Sequence, residues 1–460
     1  MVSFFIAIYY KRFMKNIAEK LSSEEYEKNF AEIHPPLTPN SAVSEANRCL
    51  YCYDSPCMKA CPTHIDISTF IKKISTENLL GSAKTIFNSN WVPLTCAKAC
   101  PVQELCEGAC VFVEKGEKPI EIGKLQRFVI ENYFSSDKRQ LFKKEKPNGK
   151  NVGIIGSGPS GLACAAELSL LGYDVTIYEA NKIPGGLSTW GIAPYKLRQA
   201  DSLKEVEYIK SFGVKINTST KVGKDISFDE LYTKHDAIFI GIGLGEATRL
   251  KIPGEELTGV VDALDFIEDV KNEKWDSVNV GKRVAVIGAG NTSIDAVTEA
   301  KRLGAEQVYI IYRRGAEDMS AYEFEYELAK NDEVIFHFKT MPKKIIGDKF
   351  VEGIECVKVE LGNKNENGKR EIKTIQNSEF ILPVDMVIKA VGQNINNNFI
   401  NEIVGIKIEK SKVIVDTKTF QTGNKKIFAG GDCINGGKEV VNAAYDGKMA
   451  AHGIDEYLKK

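Results

Sequence analysis

In the stretch IDISTFIKKISTENLLGSAKTIF, residues 65 to 87, apolar positions recur at heptad-like spacing, which predicts helix. The same helical texture runs from residue 14 to about 147, where the polar, Lys-rich SSDKRQLFKKEKPNGK reads as an exit from a first domain. From Asn151 the pattern changes to short β-rich runs alternating with helices. NVGIIGSGPSGLACAAELSLLGYDVTIYEA reads as strand, glycine turn, helix, strand, and RVAVIGAGNTSIDAVTEAKRLGAEQVYIIYRR repeats that plan about 130 residues later. From about 340 to 391 the pattern predicts antiparallel strands around a polar loop, GNKNENGKRE, expected to be solvent-exposed and nothing more. The C-terminal KIFAGGDCINGGKEVVNAAYDGKMAAHGIDEYL reads as strand, glycine turn and one long helix.

Two βαβ units predict two nucleotide-binding domains, each a parallel sheet covered by helices. The expected fold class is therefore α/β: a helical domain (14–147) followed by two Rossmann-like domains. The second of these (266–391) is inserted in the first (148–265 and 392–460).

Charge narrows the partners. With 61 basic and 62 acidic residues the net charge is -1, which gives no long-range field for nucleic acid or acidic lipid, so neither is expected to bind. The N-terminal MVSFFIAIYY is apolar but too short to span a bilayer, and Lys11 and Arg12 follow it rather than a cleavage site. It reads as an extension ahead of a start at Met14, and the chain as cytoplasmic. In that compartment thiols stay reduced, so clustered cysteines favour metal over disulfides.

In GSGPSG, Gly156 allows the tight turn, Gly158 lets backbone approach a pyrophosphate, and Gly161 lets the helix pack on its strand. The helix N-terminus supplies N–H groups for the anion. Glu179 ends the second strand, where a carboxylate accepts hydrogen bonds from a ribose diol and would repel a 2'-phosphate. In the second unit, GAGNTSIDA, Gly288 and Gly290 are present but Ser293 stands in place of the third glycine. Arg313 and Arg314 end its second strand, and such a pair suits a 2'-phosphate. Glu317 and Asp318 follow closely and oppose that, so NADH and NADPH both remain open. Two such sites fit FAD at one and a nicotinamide at the other, hydride transfer between them requiring positioning rather than a catalytic side chain. Cys164, Cys356 and Cys433 are isolated and read as buried fillers, not as a redox pair.

The other eight of the eleven cysteines are spaced Cys49-x2-Cys52-x4-Cys57-x3-Cys61 and Cys96-x3-Cys100-x5-Cys106-x3-Cys110. Zinc is the first rival, but a zinc ribbon takes two CxxC pairs and only one is present. Proline directly after Cys61 and Cys100 is similar to bacterial iron–sulfur runs, and flavin and nicotinamide downstream give electrons a path, so iron–sulfur is the stronger reading.

These segments, together with PIEIGKLQRFV, GGLSTWGIAPYKL, GIGLG, AVGQ and FAGGDC, resemble the superfamily of the glutamate synthase small subunit and the N-terminal half of dihydropyrimidine dehydrogenase. The resemblance covers nearly the whole chain from about residue 20. Within it, Gln126 in IGKLQRF resembles the dihydropyrimidine branch, which uses a glutamine as a cluster ligand. The resemblance implies two [4Fe-4S] clusters, one held by Cys49, Cys52, Cys57 and Cys110, the other by Cys61, Cys100, Cys106 and Gln126, with Cys96 spare. It implies cofactor contacts from Pro159, Ser160, Gly186, Leu187, Asn291, Thr292 and Gly392, from Lys196 in place of the family's arginine, and from Gly431 and Asp432 as a second FAD fingerprint. The activity it implies is electron entry from NAD(P)H through FAD and the clusters to a partner. That partner would be an FMN-containing pyrimidine-reducing subunit, with the glutamate synthase large subunit or a ferredoxin as alternatives. The large subunit of an NADH-dependent ferredoxin:NADP oxidoreductase shares the same layout.

Overall fold

The computed structural model describes residues 16–136, 140–364 and 370–460. The apolar N-terminus and Met14 lie outside these residues, as do part of the Lys-rich exit and the centre of the polar loop. The chain forms two compact units: Glu32–Ile192 with Lys196–Glu246 and Asn394–Lys460, and the residues up to Ala31 with Ala193–Tyr195 and Ala247–Gln393.

In the first unit the heptad-like run is not one helix but two, Ile67–Ser75 and Leu79–Phe87. Spacing alone hid the break. Thr76 Oγ1 donates back to Lys72 O, Glu77 takes a φ of 58°, and the Asn78 side chain accepts from Gly81 N at 2.9 Å to start the next helix. Phe70, Ile71, Ile74, Ile86 and Phe87 are all fully buried. Phe87 lies 4.8 Å from Tyr208, which lies 4.9 Å from Phe212, so an aromatic cluster joins helix Leu79–Phe87 to helix Gln199–Lys210. Such ring pairs contribute about 1 kcal/mol each beyond area burial.

This unit's main sheet is parallel, in the order Ile427–Ala429, Ala237–Ile240, Asn151–Ile155, Asp174–Tyr178, Lys215–Asn217. Its three central strands and Ile427–Ala429 are mainly apolar because both faces are covered, whereas the edge strand Lys215–Asn217 is polar and largely exposed. The chain order reverses beside Asn151–Ile155, and ligands of open α/β sheets bind beyond the strand ends at such a point. Helices Pro159–Leu170 and Val440–Leu458 cross there at backbone distance: a Cβ on Gly447 would stand 1.9 Å from Ser160 O. The C-terminal strand and long helix are present as expected, Ile427–Ala429 and Val440–Leu458, with more between them than a glycine turn. A short helix, Asp432–Asn435, ends at Gly436 (φ 85°) before the long one starts at Val440.

The second unit holds another parallel sheet, ordered Val260–Asp262, Met386–Lys389, Arg283–Ile287, Gln307–Ile311, Ile335–His337. Four strands from Thr340 to Leu382 pair antiparallel, as their pattern predicts. Met386–Lys389 does not join them but enters the parallel sheet, to which its apolar run is suited. Residues 16–31 are tied into this unit by Ala18 N donating to Val280 O (2.9 Å) and Phe30 stacking on Trp275 at 4.6 Å. No helix among the described residues is long and apolar enough to cross a membrane.

Candidate functional site

The first glycine fingerprint sits where the first sheet's chain order reverses. Gly156 has φ 96°, and a Cβ there would meet Gly241 O at 2.5 Å. On Gly161 it would meet Gly156 O at 2.0 Å, so the helix–strand approach excludes any side chain. Gly158 differs, because a Cβ there would meet nothing nearer than Gly186 Cα at 4.0 Å. The space before Gly158 is open, as a cradle for a pyrophosphate must be. Pro159 is the first residue of the helix, where its missing N–H costs nothing, and Ser160 is buried behind it.

Glu179 is buried, and its carboxylate accepts from Ser157 N (2.9 Å), Ser157 Oγ (2.5 Å) and Asn181 N (2.7 Å). Ser157 Oγ also accepts from Gly185 N at 2.9 Å. The carboxylate thereby ties the fingerprint to the GGL turn, where Gly186 (φ 59°) precedes Leu187, an exposed residue. The closing turn has Gly431 at φ 78°, and its N–H donates to Asp446 in the long C-terminal helix at 3.1 Å. Burial pushes Asp446 up to about 6 and also raises Asp432, whose carboxylate accepts from Lys438 N. Lys196 is half-buried, and its charge acts with Lys124 and Arg127 on His34, which burial first and these cations second hold below the usual histidine range.

The cysteines act on one another in two overlapping sets, which meet where Cys57 acts on Cys106. Burial and then Cys52 and Cys110 raise Cys49, while burial and then Cys110 and Cys49 push Cys57 up to about 12. Cys100 is raised by its hydrogen bond to Cys96, by burial, and by Cys96, Cys106 and Cys61; Cys106 is raised by burial, Glu107, Cys61 and Cys57. Crowded thiols favour their protonated forms, and a bound cationic centre reverses that preference, so the donor set suits iron. As the side chains stand, no group of three or more His, Cys, Asp or Glu among the described residues is arranged around a single metal ion.

Cys61, Cys96, Cys100, Cys106 and Gln126 line one cavity. Gln126 is buried and its Nε2 donates to Pro93 O at 2.7 Å, which fixes the amide so that its oxygen is the end left unengaged among the described residues. Cys96, spare by resemblance, is buried in the same cavity. The helix that carries it, Pro93–Ala99, is anchored by the fully buried Glu205, which accepts from Leu94 N and from Thr95 N and Oγ1. Its Lys98, almost wholly buried, pairs with Asp201 (2.5 Å) and Glu32 (2.7 Å). Removing one partner from such a buried pair costs about 3–5 kcal/mol.

In the second unit Gly288 has φ 133°, and its Cβ would meet Ala390 O at 2.2 Å. Gly290 N donates to Ser293 Oγ at 3.3 Å, so the serine occupies the third glycine's place with a useful hydroxyl. Asn291 Oδ1 accepts from Tyr322 N, Thr292 is exposed, and Gly392 (φ 92°) has open space in front of it. Arg313 is exposed and Arg314 half-buried, and among the described residues neither pairs with a carboxylate. The acidic pair that follows them meets a residue of the stretch expected to be mere solvated loop. Arg370 stands 3.3 Å from Asp318 and 4.0 Å from Glu317, a long contact that is not aligned as a hydrogen bond.

Comparison with known proteins adds to this geometry. Residues 26–138 match the family described as dihydropyrimidine dehydrogenase domain II, 4Fe-4S cluster, and residues 150–447 match the pyridine nucleotide-disulphide oxidoreductases. The glutamate synthase [NADPH] small chain of Halomonas elongata is 34% identical over 452 residues, 96% of each chain. The NAD-dependent dihydropyrimidine dehydrogenase subunit PreT of Escherichia coli O157:H7 is 32% identical over 430 residues, covering 93% of this chain and 97% of its own. The chain belongs to the glutamate synthase small-chain superfamily. A member of this superfamily, it is an NAD(P)H-dependent flavoprotein oxidoreductase with a 4Fe-4S domain. The structure of Mycobacterium tuberculosis FprA in complex with NADPH shares the fold at a TM-score of 0.56 and 20% identity, over 68% of this chain and 85% of that one.

Sequence reasoning missed four residues in this superfamily chain. Ser157 lay in view inside GSG, where a hydroxyl beside a strand-end carboxylate is a usable signal. Asp446, Glu205 and Arg370 gave none, because each meets its partners only through the tertiary fold.

Proposed function

We propose that this chain is the electron-entry subunit of a dihydropyrimidine dehydrogenase. The observation that carries the reading is Gln126, a buried amide fixed through its nitrogen at the cavity of Cys61, Cys100 and Cys106. In this reading residues 14–147 form the iron–sulfur domain, 148–265 with 392–460 the FAD domain, and 266–391 the nicotinamide domain. Gly156, Gly158, Pro159, Ser160, Gly161 and Glu179 hold the FAD pyrophosphate and ribose; Gly186, Leu187, Lys196, Gly431 and Asp432 enclose the rest. Gly288, Gly290, Asn291, Thr292, Arg313, Arg314 and Gly392 hold the nicotinamide nucleotide. Cys49, Cys52, Cys57 and Cys110 ligate one cluster; Cys61, Cys100, Cys106 and Gln126 ligate the other. The bound groups supply hydride acceptance and one-electron transfer, while the chain supplies position, exclusion of water and a route to a partner subunit. The subunit would work in the cytoplasm and reduce uracil or thymine only through an FMN-bearing partner.

A second reading, the small chain of a glutamate synthase, is favoured by the Halomonas relative and by Cys96, which offers the second cluster a fourth thiolate without Gln126. Gentle anaerobic purification from the native cell tests the choice. The proposal expects a stoichiometric FMN-containing chain with ferredoxin-type cysteines, and co-purification of a large amidotransferase chain would overturn it.

A further inference from the structure

Besides the spare thiol of Cys96, the cysteine cavity contains a polar side chain that the ligand assignments do not use. Asn90 is 1% exposed and lines the cavity with Cys61, Cys96, Cys100, Cys106 and Gln126. Its Oδ1 accepts from Val92 N at 2.9 Å, and its backbone N–H donates to Ile86 O. Its Nδ2, with two N–H donors, is buried and has no hydrogen-bond partner among the described residues. An orphaned buried donor costs about 1–3 kcal/mol, so native proteins keep one only where something else satisfies it.

The loop from Asn90 to Pro93 orients two amides in opposite senses. Val92 N engages the Asn90 oxygen and leaves its nitrogen unused; Pro93 O engages the Gln126 nitrogen and leaves its oxygen unused. One cavity thus receives a free donor and a free acceptor beside four thiols. The acceptor suits iron, whereas an N–H suits only sulfur.

We propose that Asn90 is a positioning residue that donates an N–H to sulfur of the cluster held in this cavity. The inference rests on the reading that a cluster occupies the cavity. A donor facing sulfur stabilises the more negative, reduced cluster and so raises its reduction potential, because hydrogen bonds to the sulfurs are among the terms that set it. Asn90 would thereby make this cluster easier to reduce than the same cluster without the donor.

The test uses the full chain, reconstituted and titrated anaerobically with EPR detection. Asn90→Ala removes the donor together with the Val92 acceptor, while Asn90→Asp keeps the acceptor and replaces the nitrogen. Both are expected to lower the potential of one cluster, leaving the other cluster and the FAD potential unchanged. Unchanged potentials for both clusters in an iron-loaded variant would overturn the inference. A wild-type measurement covers variants that fail to load iron. With asparagine labelled by 15N at the side chain, pulsed EPR of the reduced protein should show a weak nitrogen coupling to one cluster, and its absence would overturn the inference. Cys100→Ser separates the underlying reading, which fails if that variant still carries both cluster signals unaltered.

Discussion

The two glycine fingerprints stand on the same strand–turn–helix frame, yet their strand ends differ in kind. In the first, Glu179 is buried and locked by Ser157 and Asn181; in the second, Arg313 is exposed, Arg314 is half-buried, and among the described residues neither pairs with a carboxylate. The first has its third glycine pressed against backbone, and the second replaces it by Ser293 with a hydroxyl in use. The frame fixes where a dinucleotide lies, and the strand-end charges decide which ribose it tolerates. A rigid carboxylate suits a diol, whereas exposed guanidinium groups suit a phosphate.

The comparison breaks most severely at Gly161. Gly161→Val places a side chain on Gly156 O, and the purified variant should retain almost no flavin by absorbance; normal flavin content would contradict the close-approach argument. Next in size is Glu179→Ala, which strands the buried Ser157 N–H. Losing a charged hydrogen-bond acceptor of this kind should weaken FAD roughly 10- to 100-fold by calorimetry of the apoprotein.

Arg370→Ala sharpens the second site. It releases Glu317 and Asp318 beside Arg313 and Arg314, so the ratio of kcat/KM for NADPH over NADH should fall roughly tenfold, chiefly through KM. A ratio that does not move would show that the acidic pair never competes with the nucleotide.

The smallest effect is a pH dependence confined to the first site. Burial raises Asp446 from 3.8 to about 6, so the unfolded chain releases this proton before the folded one does. Its contribution to stability is therefore present at low pH and lost as pH rises from about 4 to about 6. The apparent melting temperature of Asp446→Asn minus that of wild type should rise across that window and level off above it, and a flat difference would refute the assignment.

Much of this was legible in the chain. Glycine turns, strand-end charges and cysteine spacing are local signals, and both parallel sheets follow from apolar runs between them. What was not legible is long-range or lies in turn chemistry. Nothing near Asp318 announces Arg370, nothing near Gly431 announces Asp446, and Glu205 reaches Leu94 and Thr95 only because two helices pack. The heptad-like run is helical, but its spacing does not show the break, where Thr76, Glu77 and Asn78 offer the backbone a better local arrangement than another turn. The cysteine spacing could not show that Cys96 shares the cavity of Cys61, Cys100 and Cys106.

The most direct test of the account is anaerobic rapid mixing of the reconstituted chain with NADPH and with NADH, following flavin and iron–sulfur absorbance separately, in wild type and Cys100→Ser. The account predicts that flavin bleaches first and iron–sulfur absorbance then falls in wild type, and that the variant keeps the bleaching but loses part of the later phase. A flavin that neither nucleotide bleaches, or a bleached flavin beside fully oxidised clusters, would contradict it.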